Sequence, residues 1–242
     1  MRIGTSGWEY RHWAGRFYPR HVPREQWLEF YAGRFDTVEL NNSFYRLPEA
    51  ATFEAWARRV PDGFTFALKA SRYLTHLRRL REPQEPLERL WTRARHLGGN
   101  RGPMLYQLPP RWRPNHQRLV EFLRSVPGGE PQAVEVRDRR WYGSRLSASL
   151  EDARVGLCLH DMAGSTPRPT RVGPLVYVRF HGSGARYGGR YSSQRLTAWA
   201  ERMATWAREG WPVWAYFNND IDGYAVRDAD RLRSMLERRG VA

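Results

Sequence analysis

The chain has 242 residues and a formal charge of +15, with 41% hydrophobic and 14% aromatic residues. That apolar content excludes global disorder and suits one large domain. The single cysteine, Cys158, excludes an internal disulfide and a cysteine-only iron–sulfur cluster. No apolar run approaches the ~18 residues of a membrane-spanning helix, and Met1-Arg2 leads straight into a strand pattern with no signal-peptide character. The expectation is therefore a soluble, cytoplasmic protein with no membrane partner. The positive charge favours an anionic small molecule or a nucleic acid as partner, against the plainer alternative of arginine-rich, solvated helix faces.

Short apolar runs, each ending in polar residues, alternate with helical patterns along the chain. Residues 2–6 form the first predicted strand. A helix follows over 24–33, begun by Pro23 and stopped by Gly33. The second strand is 37–41, followed by a helix over 50–59 that Pro61 ends. The third strand, 64–69, leads to a long basic loop over 78–86 and a helix over 85–97. The fourth strand, 104–107, precedes a helix over 115–125. The fifth, 133–137, precedes a shorter helix over 144–152. After the sixth strand, 155–160, the segment 161–174 carries Gly164, Pro167, Pro169, Gly173 and Pro174, so no helix is expected. The seventh strand, 175–181, is followed by an amphipathic helix over 193–209. The eighth, 213–218, is followed by a closing helix over 228–239. Eight βα repeats with one helix missing predict a TIM-type (β/α)8 barrel filling residues 1–242 as one domain.

Barrel chemistry sits at the C-terminal ends of the strands. Residues two apart on a strand share a face, and polar side chains turned under the helices would be costly. The mouth is therefore expected to gather Ser6, Glu39, Asn41, Lys69, Gln107, Glu135, Arg137, His160, Arg179, His181 and Asn218. Two of these stand out by composition. Lys69 is the only lysine beside 39 arginines, in a chain whose scarce lysine and isoleucine indicate GC-rich coding. A lysine that survives such drift is one arginine cannot replace, because only the ammonium can lose its proton on burial. Four of the six asparagines are Asn41, Asn42, Asn218 and Asn219, at the ends of strands two and eight.

Lys69 has Glu39 and Glu135 as candidate partners. An ion pair would keep it charged; an apolar pocket would free it as a base or Schiff-base nucleophile. It could equally clamp an anion. Two carboxylates and two histidines could hold a divalent metal, but no local ligand motif is present and three cations share the mouth, so a metal is not favoured. The loop after strand seven, residues 179–191, places glycines 182, 184, 188 and 189 among Arg179, Arg186, Tyr187, Arg190 and Tyr191. Such a loop can cradle phosphate or act as a lid. The first loop, 7–13, offers the aromatic planes of Trp8, Tyr10 and Trp13 for stacking a base or sugar.

Taken in order, these pieces resemble one known family: Gly4-Thr5-Ser6-Gly7-Trp8, Val38-Glu39-Leu40-Asn41 with Ser43-Phe44-Tyr45, Phe66 to Ala70 with Thr75-His76, Gln107-Leu108-Pro109-Pro110, Glu135-Val136-Arg137, His160-Asp161, Arg179-Phe180-His181-Gly182 with Tyr187 and Tyr191, and Tyr216-Phe217-Asn218-Asn219-Asp220. The set is similar to the family catalogued as domain of unknown function 72, the YecE-like proteins. The resemblance implies a TIM-type barrel with these positions lining one pocket, and supplies no reaction.

The residues themselves suggest a hydrolase or other acid–base enzyme for a phosphate-bearing substrate. Lys69, Arg137 and Arg179 would hold anionic charge. Glu39 or Glu135 would be the base, and His181 or His160 the acid. Ser6, Trp8, Tyr10, Asn41, Gln107, Tyr187, Tyr191 and Asn218 would line the substrate. One alternative is a carbohydrate isomerase or glycosidase that uses Glu39 and Glu135 as paired carboxylates, with a tryptophan stacking the sugar. The other is a non-catalytic nucleic-acid binder.

Overall fold

The computed structural model describes residues 1–162, 164–184 and 187–241. Eight parallel strands close into a barrel in chain order: β1 (Arg2–Ser6), β2 (Thr37–Leu40), β3 (Thr65–Lys69), β4 (Arg101–Gln107), β5 (Gln132–Glu135), β6 (Gly156–His160), β7 (Val176–Phe180) and β8 (Val213–Phe217). The ring closes where β8 pairs with β1, Ile3 lying opposite Ala215. Around it run α1 (Trp27–Ala32), α2 (Asn42–Tyr45), α3 (Ala50–Ala57), α4 (Gln84–Ala94), α5 (His116–Ser125), α6 (Ser144–Asp152), α7 (Ser193–Arg208) and α8 (Tyr224–Glu237). Among the described residues no helix lies between β6 and β7, in keeping with the prolines and glycines there. No helix of the described residues is long and apolar enough to cross a membrane.

Several boundaries differ from the sequence expectation, each for a local reason. The closing helix begins at Tyr224, four residues before the predicted 228. Gly223, at φ 70°, ends the preceding turn, and Ala225 and Val226 are already buried. The predicted helix over 24–33 divides into a 3-10 turn, Arg24–Gln26, and α1. The one over 85–97 gives way to a 3-10 segment, Arg95–Asn100, in which Gly98 turns to φ 54°. The loop over 78–86 ends at Pro83. Pro86 lies in the first turn of α4, where its missing N–H is no loss. Among the elements too short for periodicity to reveal are α2 and a single π-helical turn, Tyr73–Leu77.

Strand alternation separates two cores. Outward residues such as Val38, Phe66, Val134, Val178 and Phe217 pack under the helices. Inward residues form a second cluster within the ring, in which Tyr177 and Tyr216 face Ala67, Ala133 and Cys158. Large side chains on neighbouring strands β7 and β8 thus fill the space that small ones leave across the barrel. Gly4 is required by a different constraint: a Cβ there would sit 2.1 Å from the Thr37 carbonyl oxygen. One layer above the tyrosines, toward the strand C-termini, the inward residues become polar.

Candidate active site at the barrel mouth

That polar layer is built by strand register. Ser6 pairs with Glu39, Gln107 with Glu135, and His160 with Arg179. Arg179 occupies its centre and is 1% exposed. Its Nε and Nη2 donate to Glu39 Oε1 at 3.2 and 2.8 Å, and Nη2 also reaches Asn41 Oδ1 at 3.4 Å. Its Nη1 donates to Glu135 Oε2 at 2.8 Å and Gln107 Oε1 at 3.2 Å. Every N–H of the guanidinium is thereby used. Arg179 is a bridge between two carboxylates and has no donor left for a ligand, which corrects its expected role as an anion clamp.

The carboxylates are equally committed. Glu39 also accepts from Ser6 Oγ and Tyr177 OH, both at 2.7 Å. Glu135 takes the Nε of Arg137. Burial works to raise both carboxyl pKa values, but the neighbouring guanidiniums outweigh it. Arg179 holds Glu39 below the usual range, and Arg137 with Arg179 holds Glu135 well below it. Both are fixed anions without exposure, so neither is suited to the general-base or paired acid–base role expected of them. Among the described residues no group of three His, Cys, Asp or Glu side chains is placed to hold a metal.

The histidines are also accounted for. His160 Nε2 donates to the Val136 carbonyl at 3.0 Å, and its Nδ1 accepts from the Met162 N–H at 3.3 Å. Burial lowers its pKa, so it is a neutral, fully bonded group joining β5 to the loop after β6. His181 accepts at Nε2 from Arg137 Nη2, 2.8 Å away, so its proton sits on Nδ1. That Nδ1 lies 3.7 Å from Asp161 Oδ1, too far for a hydrogen bond. Burial lowers its pKa to about 4 despite Asp161. Neither imidazole carries an acidic proton at neutral pH, which corrects their expected role as the acid.

Lys69 behaves differently. Its Nζ lies 4.0 Å from the centroid of the Phe44 ring. Among the described residues no carboxylate comes within ion-pair distance of it, since Arg179 and Arg137 occupy Glu39 and Glu135. Burial, followed by the positive field of Arg179, lowers its pKa from 10.5 to about 7. Ser43 Oγ fixes the backbone there by donating to the Lys69 carbonyl at 2.7 Å. Beside it, His76 meets Phe44 edge-on at 5.0 Å. Burial and Lys69 lower the His76 pKa to about 4.

The expected lining residues divide into two groups. Gln107 and Arg137, like Lys69, keep a little exposure at the mouth. Besides Glu135 and His181, Arg137 points Nη1 at the Met162 sulfur, a weak acceptor. Asn41 and Asn218 are half-buried at the rim, and the Tyr10 hydroxyl donates to the Ser6 carbonyl at 2.5 Å. Trp8 and Trp13 belong to the core. Trp8 packs edge-on against Trp56 at 5.2 Å, and Trp13 is fully buried with its indole N–H on the Asp220 carbonyl at 2.9 Å. Neither ring is free to stack on a ligand, and the sugar-stacking expectation loses its planes. Tyr191 is buried as well. Its hydroxyl donates to Asp161 and accepts the Gly182 N–H, so it positions the mouth without facing it.

The loop after β7 is tied to itself and to its neighbours. The His181 N–H goes to Asp161 Oδ1 at 2.7 Å, and the Tyr187 N–H to the His181 carbonyl at 2.9 Å. With Gly182 also bonded, these three amides are unavailable as a phosphate cradle. Tyr187 sits at φ 63°, its ring 6.1 Å from that of His181. Ala185 and Arg186, part of the expected cradle, lie outside the described residues. Sequence reasoning passed over Phe44, His76, Asp161 and Tyr177 as site residues. The first three lay within motifs already singled out, and Tyr177 lies two positions before Arg179 on the same inward face.

The chain as a whole is similar to known proteins. The family model described as "Protein of unknown function DUF72" matches residues 2–242. The UPF0759 protein YunF of Bacillus subtilis is 28% identical, over 97% of this chain and 93% of its own. The crystal structure of a DUF72 family protein from Thermotoga maritima, TM1631, is 27% identical and superposes with a TM-score of 0.89 over 98% of each chain. SacUVDE, 7% identical with a TM-score of 0.61 over the whole of both chains, shares the fold.

Proposed function

The chain belongs to the DUF72 family, and we propose that this member is an enzyme whose barrel mouth binds a phosphate-bearing substrate and transfers a proton through Lys69 in a hydrolytic or related acid–base step. One observation carries this reading. Among the described residues the inward charges beside Lys69 are paired, Glu39 and Glu135 with Arg179 and Arg137, whereas Lys69 itself faces Phe44 with its pKa lowered to about 7. A group with its pKa at the working pH is the efficient proton carrier. The paired charges sum to zero, so each proton gained by Lys69 makes the mouth net positive. An anionic substrate stabilises that protonated state, and Arg137 Nη1, which meets only a weak acceptor, is the donor of that guanidinium left to it.

Hydrolysis of p-nitrophenyl phosphate and bis-p-nitrophenyl phosphate tests the reaction, and calorimetric binding of inorganic phosphate tests the site. Phosphate binding is expected to be tighter at pH 6 than at pH 8.5 and to be lost in Lys69→Met. Ester hydrolysis is expected to disappear in Lys69→Met and to stay absent in Lys69→Arg. Phosphate binding that ignores both pH and Lys69 would remove the reading.

A further inference from the structure

Among the described residues the exposed large apolar side chains are Tyr45 (81%), Leu77 (63%), Ile221 (47%) and Tyr73 (44%). Tyr45, Tyr73 and Leu77 sit directly after β2 and β3, the strands that deliver Glu39 and Lys69. The Tyr45 ring meets Phe44 at 5.0 Å. Phe44 in turn carries Lys69 Nζ on its face and meets His76, the neighbour of Leu77. An unbroken aromatic path thus runs from open solvent to the titrating amine.

Its surroundings are cationic. Residues 69–81 contain Lys69, Arg72, Arg78, Arg79 and Arg81 and no carboxylate. Arg46, Arg72, Arg79 and Arg81 are exposed, while Arg78 lies over the Tyr73 ring at 5.2 Å and pairs with Glu82. A small phosphorylated metabolite has no use for a solvent-facing aromatic outside the pocket. A flat apolar face beside cations matches an unpaired base flanked by phosphates, because stacking accepts any base and the cations follow the backbone.

We infer that the substrate class of this mouth is single-stranded nucleic acid, with an unpaired base stacked on Tyr45, the flanking phosphates beside Arg46 and Arg72, and the backbone led across Phe44 to Lys69. This rests on the reading of the mouth as a site for phosphate-bearing substrates.

The test is fluorescence anisotropy with a labelled oligothymidylate of about a dozen nucleotides, within the span one such groove covers. Unlabelled inorganic polyphosphate serves as a competitor without bases. Tyr45→Ala should bind the oligonucleotide roughly tenfold more weakly and polyphosphate unchanged, and Tyr45→Trp should restore the affinity. Because Tyr45 is mostly solvent-exposed, these variants leave the core intact. Oligonucleotide affinity that is the same in Tyr45→Ala and wild type overturns the inference and leaves the patch as a protein contact. Equal losses for both ligands also overturn it, since they show charge without stacking. If oligonucleotide binding fails the test while Lys69-dependent phosphate binding persists, only this inference falls. If phosphate binding itself is independent of Lys69, the reading beneath it falls.

Discussion

Arg179 and Glu39 meet side-on inside the barrel, with Nε and Nη2 of the guanidinium sharing the single oxygen Oε1 at 3.2 and 2.8 Å. The other face of the same guanidinium holds Glu135. One cation thus bridges two anions contributed by β2 and β5, Arg137 supplies the second positive charge beside Glu135, and the charge network acts as a frame for the mouth.

Removing that cation should be costly at neutral pH. Arg179→Met leaves two buried carboxylates short of a counter-charge, and breaking a buried pair in this way costs about 3–5 kcal/mol. Urea denaturation at pH 7 should show that loss. The deficit should shrink as pH falls toward 5, because carboxyls without Arg179 protonate more readily. In the wild type the sign is opposite: the lowered Glu39 and Glu135 pKa values supply stability that is present above the ordinary carboxylate range and lost only as pH falls through the depressed values. A deficit independent of pH would contradict this account.

Lys69 should tax stability in a pH-dependent way. Its folded pKa of about 7 lies below the ordinary 10.5, so the unfolded chain binds more protons between these values and stability rises with pH across that window. Lys69→Met should therefore raise the melting temperature by about 5 °C or more at pH 6, and the gain should fade toward pH 10. A constant gain would mean that hydrophobic packing, and not charge burial, explains it.

His76 and His181, both lowered to about 4, should appear neutral at pH 6 when their Cε1–H resonances are followed by NMR. Since each binds its proton less readily in the folded chain than in the unfolded one, both withdraw stability as pH falls from about 6.5 to 4. An inflection near 6.5 for either residue would show that it is not held as described.

Gly4→Ala should be among the harshest single-atom additions in the chain. The new methyl would lie 2.1 Å from the Thr37 carbonyl oxygen, and the obstacle is backbone that cannot rotate away. Overpacking of this kind costs about 1–3 kcal/mol, here through separation of β1 from β2. Thermal denaturation measures it; Gly99→Ala, where a Cβ meets nothing within 4 Å, is the control.

The barrel was legible because eight apolar runs of strand length end in polar residues, and strand parity alone brought Glu39, Lys69, Gln107, Glu135, Arg137, His160, Arg179 and His181 to one end. Which of these touch was not legible. Parity puts side chains inside the ring but leaves the reach of each open, and the long arms of Arg179 and Arg137 claim the carboxylates before Lys69 can. The place of Trp8 and Trp13 is hidden for the same reason: a loop's aromatic residues fold either outward or beneath it, and only the packing of Trp56 and Asp220 decides. The exposed Tyr45 belonged to a helix of four residues, too short to leave a periodic trace.

The one lysine side chain of this sequence, Lys69, stands at the C-terminal end of β3. Any amine-selective reagent therefore has one internal address. Acylation or reductive methylation of that side chain reports on the mouth, and its rate, followed against pH or added ligand, measures how far the Lys69 nitrogen is deprotonated and uncovered.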